Sequence, residues 1–141
     1  MTIWSGQMYF PSKKDIWMSS IHFFAAFILI VLPARSENFS ILLIITLIIP
    51  GLISLFVWLR TGYKIINEKI IIIYGPMKFK VNIHDIQRLH YIKSPFVGPA
   101  LSVDRIGLTH SKSKFVTISP KDKERFIKEL LKINSNIVID K

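Results

Sequence analysis

GYKIINEKIIIIYGPMKFKVNIHDIQRLHYIK, residues 62–93, decides the fold. GYKII at 62–66 and KIIIIYG at 69–75 are rich in β-branched residues, which fit a pleated sheet. Asn67-Glu68 between them is a polar turn, and Gly75-Pro76 breaks the second run. MKFKVNI at 77–83 alternates strictly: Met77, Phe79, Val81 and Ile83 face one way, Lys78, Lys80 and Asn82 the other. That period of two marks a half-buried strand. His84-Asp85 makes another break, and IQRLHYI at 86–92 reads as a further strand.

Toward the C-terminus a loop with Pro95, Gly98 and Pro99 comes first. SVDRIGLTH at 102–110 and FVTIS at 115–119 then flank the polar turn SKSK, a hairpin signal. The last element predicted is a helix over 120–133. Ser119 is its expected N-cap and Pro120 suits the first helical position. Asp122 falls three residues after that cap, as in a capping box, and with Glu124 it favours the positive end of the helix dipole. Phe126, Ile127, Leu130, Leu131 and Ile133 form one apolar stripe that should cover the sheet, with Lys121, Lys123, Arg125, Lys128 and Lys132 opposite. Six short strands and one helix predict a small α+β domain over 61–141, a bent sheet or open barrel with a C-terminal helix.

Toward the N-terminus the pattern becomes continuously apolar. Residues 16–33, IWMSSIHFFAAFILIVLP, and 41–59, ILLIITLIIPGLISLFVWL, contain no Asp, Glu, Lys or Arg. At the rise of an α-helix each covers ~27–29 Å, close to a hydrocarbon core. Helices apolar all round have no solvent side, so both are predicted transmembrane. The link ARSENFS at 34–40 allows only an antiparallel hairpin. The chain thus divides into an N-terminal segment (1–15), a membrane α-helical hairpin (16–60) and the domain (61–141). Lys13 and Lys14 precede the first span, Arg60, Lys64 and Lys69 follow the second, and the link offers only Arg35. The positive-inside rule then puts both termini in the cytoplasm of a multi-pass cell-membrane protein, with Trp17, Trp58 and Tyr63 at the inner interface. The first span is longer than a signal h-region and lacks an A-x-A-like site, so it is expected to be retained. Pro50-Gly51 reads as a tolerated kink in the second span. His22, the one ionisable group in either span, is expected as a neutral ring bonded to Ser54 or to backbone.

Chemistry is constrained by what is missing. The sequence has no cysteine, which excludes disulfides, thiolate metal sites and Cys nucleophiles. No GxSxG, HExxH, Walker loop or paired-carboxylate motif is present, so neither an enzyme nor a cofactor is expected. His84, His90 and His110 lack metal-site spacing. Asp104-Arg105 reads as part of a cross-strand ion pair.

Charge supplies the remaining candidates. Lys13, Lys14, Arg35 and Arg60 against Asp15 and Glu37 leave +2 up to residue 60, so the other +8 of the net +10 lies in the domain. Lys78 and Lys80 share a strand face, Arg88 and His90 share another, and Lys112 and Lys114 sit on a hairpin turn. These six either contact anionic headgroups or a protein partner at the inner leaflet, at about 1 kcal/mol per basic residue for lipid, or only enforce the topology. Nucleic acid is not expected, because the cations are not clustered in one helix or interleaved with stacking aromatics.

Five strings carry a resemblance over nearly the whole chain: FPSKKDIW (10–17), GYKIINEKIIIIYGP (62–76), NIHDIQRL (82–89), PALSVDRIGL (99–108) and ISPKDKERFIKEL (118–130). Together they resemble the bacterial PH-like domain family of short membrane-anchored proteins, the YyaB-like group. The resemblance implies a pleckstrin-homology-like barrel with a C-terminal helix and a non-enzymatic role. Such a barrel has seven strands, one more than the pattern gives, and the stretch around 93–101 is the expected place for it. Related small membrane-anchored proteins of this type act as self-immunity factors against bacteriocins, which is the alternative role.

Overall fold

The computed structural model describes residues 7–35, 40–95, 99–110 and 114–140. Each β-branched run forms its strand: β2 Gly62–Ile66, β3 Lys69–Tyr74, β4 Met77–Asn82, β5 Ile86–Lys93, β6 Asp104–His110 and β7 Lys114–Ile118. The break at His84-Asp85 is a single 3-10 turn, Ile83–Asp85. Asn67 and Glu68, at φ 45° and 61°, make the tight two-residue connection between β2 and β3. Positive φ at both central positions matches the twist of the flanking strands.

Among the described residues of 93–101 no further strand follows β5. The missing strand is β1, Met8–Pro11, which pairs antiparallel with β2 from Met8↔Ile65 to Pro11↔Gly62. Residues 8–11 of the N-terminal segment therefore belong to the sheet, and two helices, α1 (Ile16–Arg35) and α2 (Ile41–Leu59), stand between its first and second strands. A further short strand, β8 (Val138–Asp140), lies parallel to β5. The result is two four-stranded sheets, ordered β1-β2-β3-β4 and β7-β6-β5-β8.

Between the sheets, Phe10, Tyr63, Ile70, Ile72, Leu89, Ile106, Leu108 and Ile118 are buried with Phe126, Ile127 and Leu130 of α3 (Lys123–Ile133). Phe126 meets Phe10 edge-on at 5.0 Å and Tyr63 at 6.3 Å between ring centroids. The apolar stripe of α3 thus covers the sheets, as its spacing predicts. Its start differs. The N-cap is Asp122, whose carboxylate accepts from the Arg125 N–H at 3.0 Å. Ser119 is instead fully buried, and its hydroxyl accepts from the Leu101 N–H at 3.2 Å.

The strict alternation of β4 also needs correction. Met77 and Phe79 share the face of the buried Ile72 and Val81 by register, yet both are exposed. β4 ends its sheet, and the second sheet closes only over the Val81–Ile83 end.

α1 and α2 touch along opposite directions. His22 Nδ1 lies 3.0 Å from Ser54 Oγ, Phe23 packs on Trp58, and Gly51 backs onto Leu29 and Ile30. α2 runs unbroken through Pro50. By length and composition α1 is apolar enough to cross a membrane, and α2 contributes a shorter apolar run, Ile44–Leu59.

Tyr63 links the layers. Its buried hydroxyl donates to the Pro99 carbonyl at 2.9 Å and accepts from the Ser119 N–H at 2.8 Å. Burial pushes its pKa up, so the phenol stays protonated. Tyr63→Phe should cost about 1–3 kcal/mol, because it strips those buried groups of their partner. A lowered thermal midpoint with an unchanged far-UV spectrum is the expected reading.

Candidate functional site

Ser12–Asp15 joins the helices to the domain residue by residue. Ser12 Oγ lies 3.0 Å from Ser119 Oγ, and the Lys13 N–H donates to the Ser119 carbonyl at 2.6 Å. Lys14 Nζ sits 5.0 Å over the Trp58 ring. Asp15 accepts from Ser102 Oγ at 2.9 Å and from the Val103 N–H at 2.7 Å. Val57, Trp58 and Leu101 bury together beside it, so Trp58 is a packed junction residue and not a free interfacial ring.

Asp104 is the ionic centre of this junction. It takes Lys13 at 2.9 Å and also Lys123 of α3. The cross-strand ion pair expected at Asp104 is not what forms: both of its cations come from outside the strands. Burial pushes the Asp104 carboxyl up, and the two ammonium groups outweigh that, holding it below its ordinary 3.8. The hydrogen bond to Asp104 likewise raises Lys13. A depressed carboxyl stabilises the fold above its ordinary value, and that contribution is lost as pH falls through the lowered one. Thermal midpoints should therefore drop below about pH 4 in the native chain. Asp104→Asn should lower the midpoint at pH 7 and flatten that acid limb.

Beside this junction, where α2 ends, an open groove of about 630 Å3 runs along the outer face of the first sheet. Register puts Tyr9, Lys64, Ile71 and Lys80 in one row across that face, with Gly62, Ile73 and Lys78 in the next. Arg60, Lys64 and Lys78 line the groove with Gln7, Tyr9 and Leu59, and among the described residues none that lines it is acidic. Three cations beside apolar and aromatic groups suit a phosphate carried on an apolar body.

The six cations singled out by sequence occupy separate places. Lys78 is in the groove. Lys80 and Lys114 line a second opening of about 370 Å3, together with Lys69, Asn82, Asp85 and His110, where the edges of β4 and β7 approach. Arg88 and His90 sit on β5, and both face Asp140 of β8, at 3.9 Å and 3.2 Å. Lys112 lies outside the described residues. Arg60, Lys64 and Tyr9 are the groove residues that sequence reasoning missed. The available signals were the outward position of Lys64 in GYKII and the Tyr9–Lys64 alignment that only β1 creates. Arg105, buried at 1% exposure, donates from Nε to the Ser102 carbonyl at 2.6 Å and from Nη2 to the Pro95 carbonyl at 3.1 Å, and so ties those two residues to β6. Among the described residues no cluster of His, Asp and Glu is arranged to hold a metal ion.

No curated protein and no solved structure matches this chain. A family model does: that of the bacterial PH domain, over residues 61–134. That match spans more than half of the sequence and takes in β2 to β7 and the covering helix α3, so the chain belongs to the bacterial PH domain family.

Proposed function

We propose that this is a non-enzymatic, membrane-anchored PH module that holds anionic lipid headgroups at the inner leaflet. The observation that carries the reading is the groove at the end of α2, with Arg60, Lys64 and Lys78 and, among the described residues, no acidic lining residue. In this reading α1 and α2 both cross the bilayer as a hairpin. Strand pairing supports that arrangement: β1 precedes α1, β2 follows α2, and the two are hydrogen-bonded to each other, so the start of α1 and the end of α2 lie on one side. The basic residues gather on that side, which makes it the cytoplasmic one. The exposed Ile16, Phe24, Phe27, Ile41, Leu42 and Leu52 then face lipid tails instead of water.

Three cations near a charged surface contribute about 3 kcal/mol, a factor of roughly 100 in affinity at low salt. The test purifies the full chain in a mild detergent and counts bound phosphatidylglycerol by native mass spectrometry. Arg60→Glu/Lys64→Glu/Lys78→Glu should lower retention at least tenfold, and added salt should reduce the difference. Equal retention by the native chain and the triple variant would overturn the reading.

A further inference from the structure

We infer that the open seam between β4 and β7 accepts an extended acidic segment of a partner protein, which adds as a strand to the free edge of β4. β4 and β7 each end their sheet, and among the described residues neither outer edge carries a partner strand. A row of backbone N–H and C=O groups left so is a template for strand addition. The side chains along it match that use. Phe79 on β4 and Phe115 on β7 are 45% and 52% exposed. Lys69, Lys80 and Lys114 line the opening against a single carboxylate, Asp85.

The alternation of β4 specifies the partner further. Met77 and Phe79 project to one face, Lys78 and Lys80 to the other. Directly opposed residues on paired strands interact in kind, so the incoming strand should alternate apolar with acidic side chains. A second copy of this chain fits poorly, since its own β4 would set lysines against lysines. Membrane lipid fits poorly too. The β3–β4 turn at Gly75 is the end that abuts α2, and Lys69 stands five residues along β3 from Tyr74, about 17 Å away at strand rise. The opening therefore shares no lining residue with the lipid groove, although β4 also carries Lys78 of that groove.

The test uses the full chain in zwitterionic nanodiscs and a fluorescein-labelled ten-residue peptide alternating Glu and Val, read by anisotropy. Saturable binding is expected. Lys80→Glu/Lys114→Glu should weaken it at least tenfold and create binding to the matching Lys/Val peptide. Where the reversed charges lower the melting temperature, Lys80→Gln/Lys114→Gln replaces them and should weaken binding in the same direction. A Glu/Val peptide N-methylated at alternate residues, which blocks one hydrogen-bonding edge, should not bind. The inference fails if no peptide binds, if the methylated peptide binds as well as the plain one, or if the variants bind unchanged. It also fails if anionic nanodiscs displace the peptide with the same dependence on Lys80 and Lys114, because that assigns the seam to lipid.

Discussion

A fragment of residues 61–141 should fail to fold, although the family match begins at residue 61. It lacks β1. Without β1 the core loses Phe10, a buried ring set edge-on to Phe126. Removing such a ring costs about 3–5 kcal/mol. The loss of Ser12 also leaves Ser119 without one of its buried partners, and the departure of Lys13 takes one of the two cations from Asp104. Small domains hold only about 5–15 kcal/mol in total. The fragment should therefore show no cooperative thermal transition and should bind hydrophobic dye. Joining residues 7–15 to residue 61 through a short Gly/Ser linker should restore the transition, because Pro11 already stands opposite Gly62 in the sheet. A cooperative melt of 61–141 alone would show β1 to be dispensable.

That result bears on why the sequence yielded most of the domain but not its first strand. β2 to β7 were legible because each is a local pattern: a β-branched run or a period of two, bounded by Gly, Pro or Asn. β1 is four residues, MYFP, ending in proline, and its partner lies beyond two apolar helices. Nothing local marks it as a strand, since what makes it one is the pairing Met8↔Ile65. The same non-local competition moved the start of α3. Ser119 has the right residue type for a cap, but the buried Ser12, Tyr63 and Leu101 claim its polar atoms, and Asp122 caps instead. In the sites, periodicity told which cations share a strand face. It did not tell which faces meet. Arg88 and His90 share β5 as read, yet Asp140 on the unforeseen β8 stands against both. Met77 and Phe79 likewise point to the core side as read, and whether that side is covered depends on where the second sheet closes.

The second large effect should come from Gly75, where the domain meets the helices. Its φ of +57° lies in the left-handed region, which costs a β-branched residue about 1–2 kcal/mol. Space is the second obstacle. A Cβ there would stand 2.6 Å from Val57 Cγ2, 3.1 Å from Val57 Cα and 3.2 Å from Val57 N. The methyl group of Val57 could rotate away, but its backbone belongs to α2 and could not. Forcing atoms into such a contact typically costs a further 1–3 kcal/mol or so. Gly75→Val should therefore destabilise by about 3 kcal/mol, a fall of roughly 10–20 °C in thermal midpoint for a domain of this size. Two further variants separate the causes. Gly75→Asn tolerates positive φ and keeps the clash, so it should fall between the native chain and Gly75→Val. Val57→Ala placed in Gly75→Val removes the nearest atom but not the backbone, and should recover only part of the loss. Because the β3–β4 turn rests on α2 at this point, the groove lined by Leu59, Arg60 and Lys78 should loosen with it. Gly75→Val should thus reduce retained phosphatidylglycerol below its melting temperature as well. A native-like midpoint in Gly75→Val would mean that the turn and α2 are not in fixed contact, and the groove could not then be a built site.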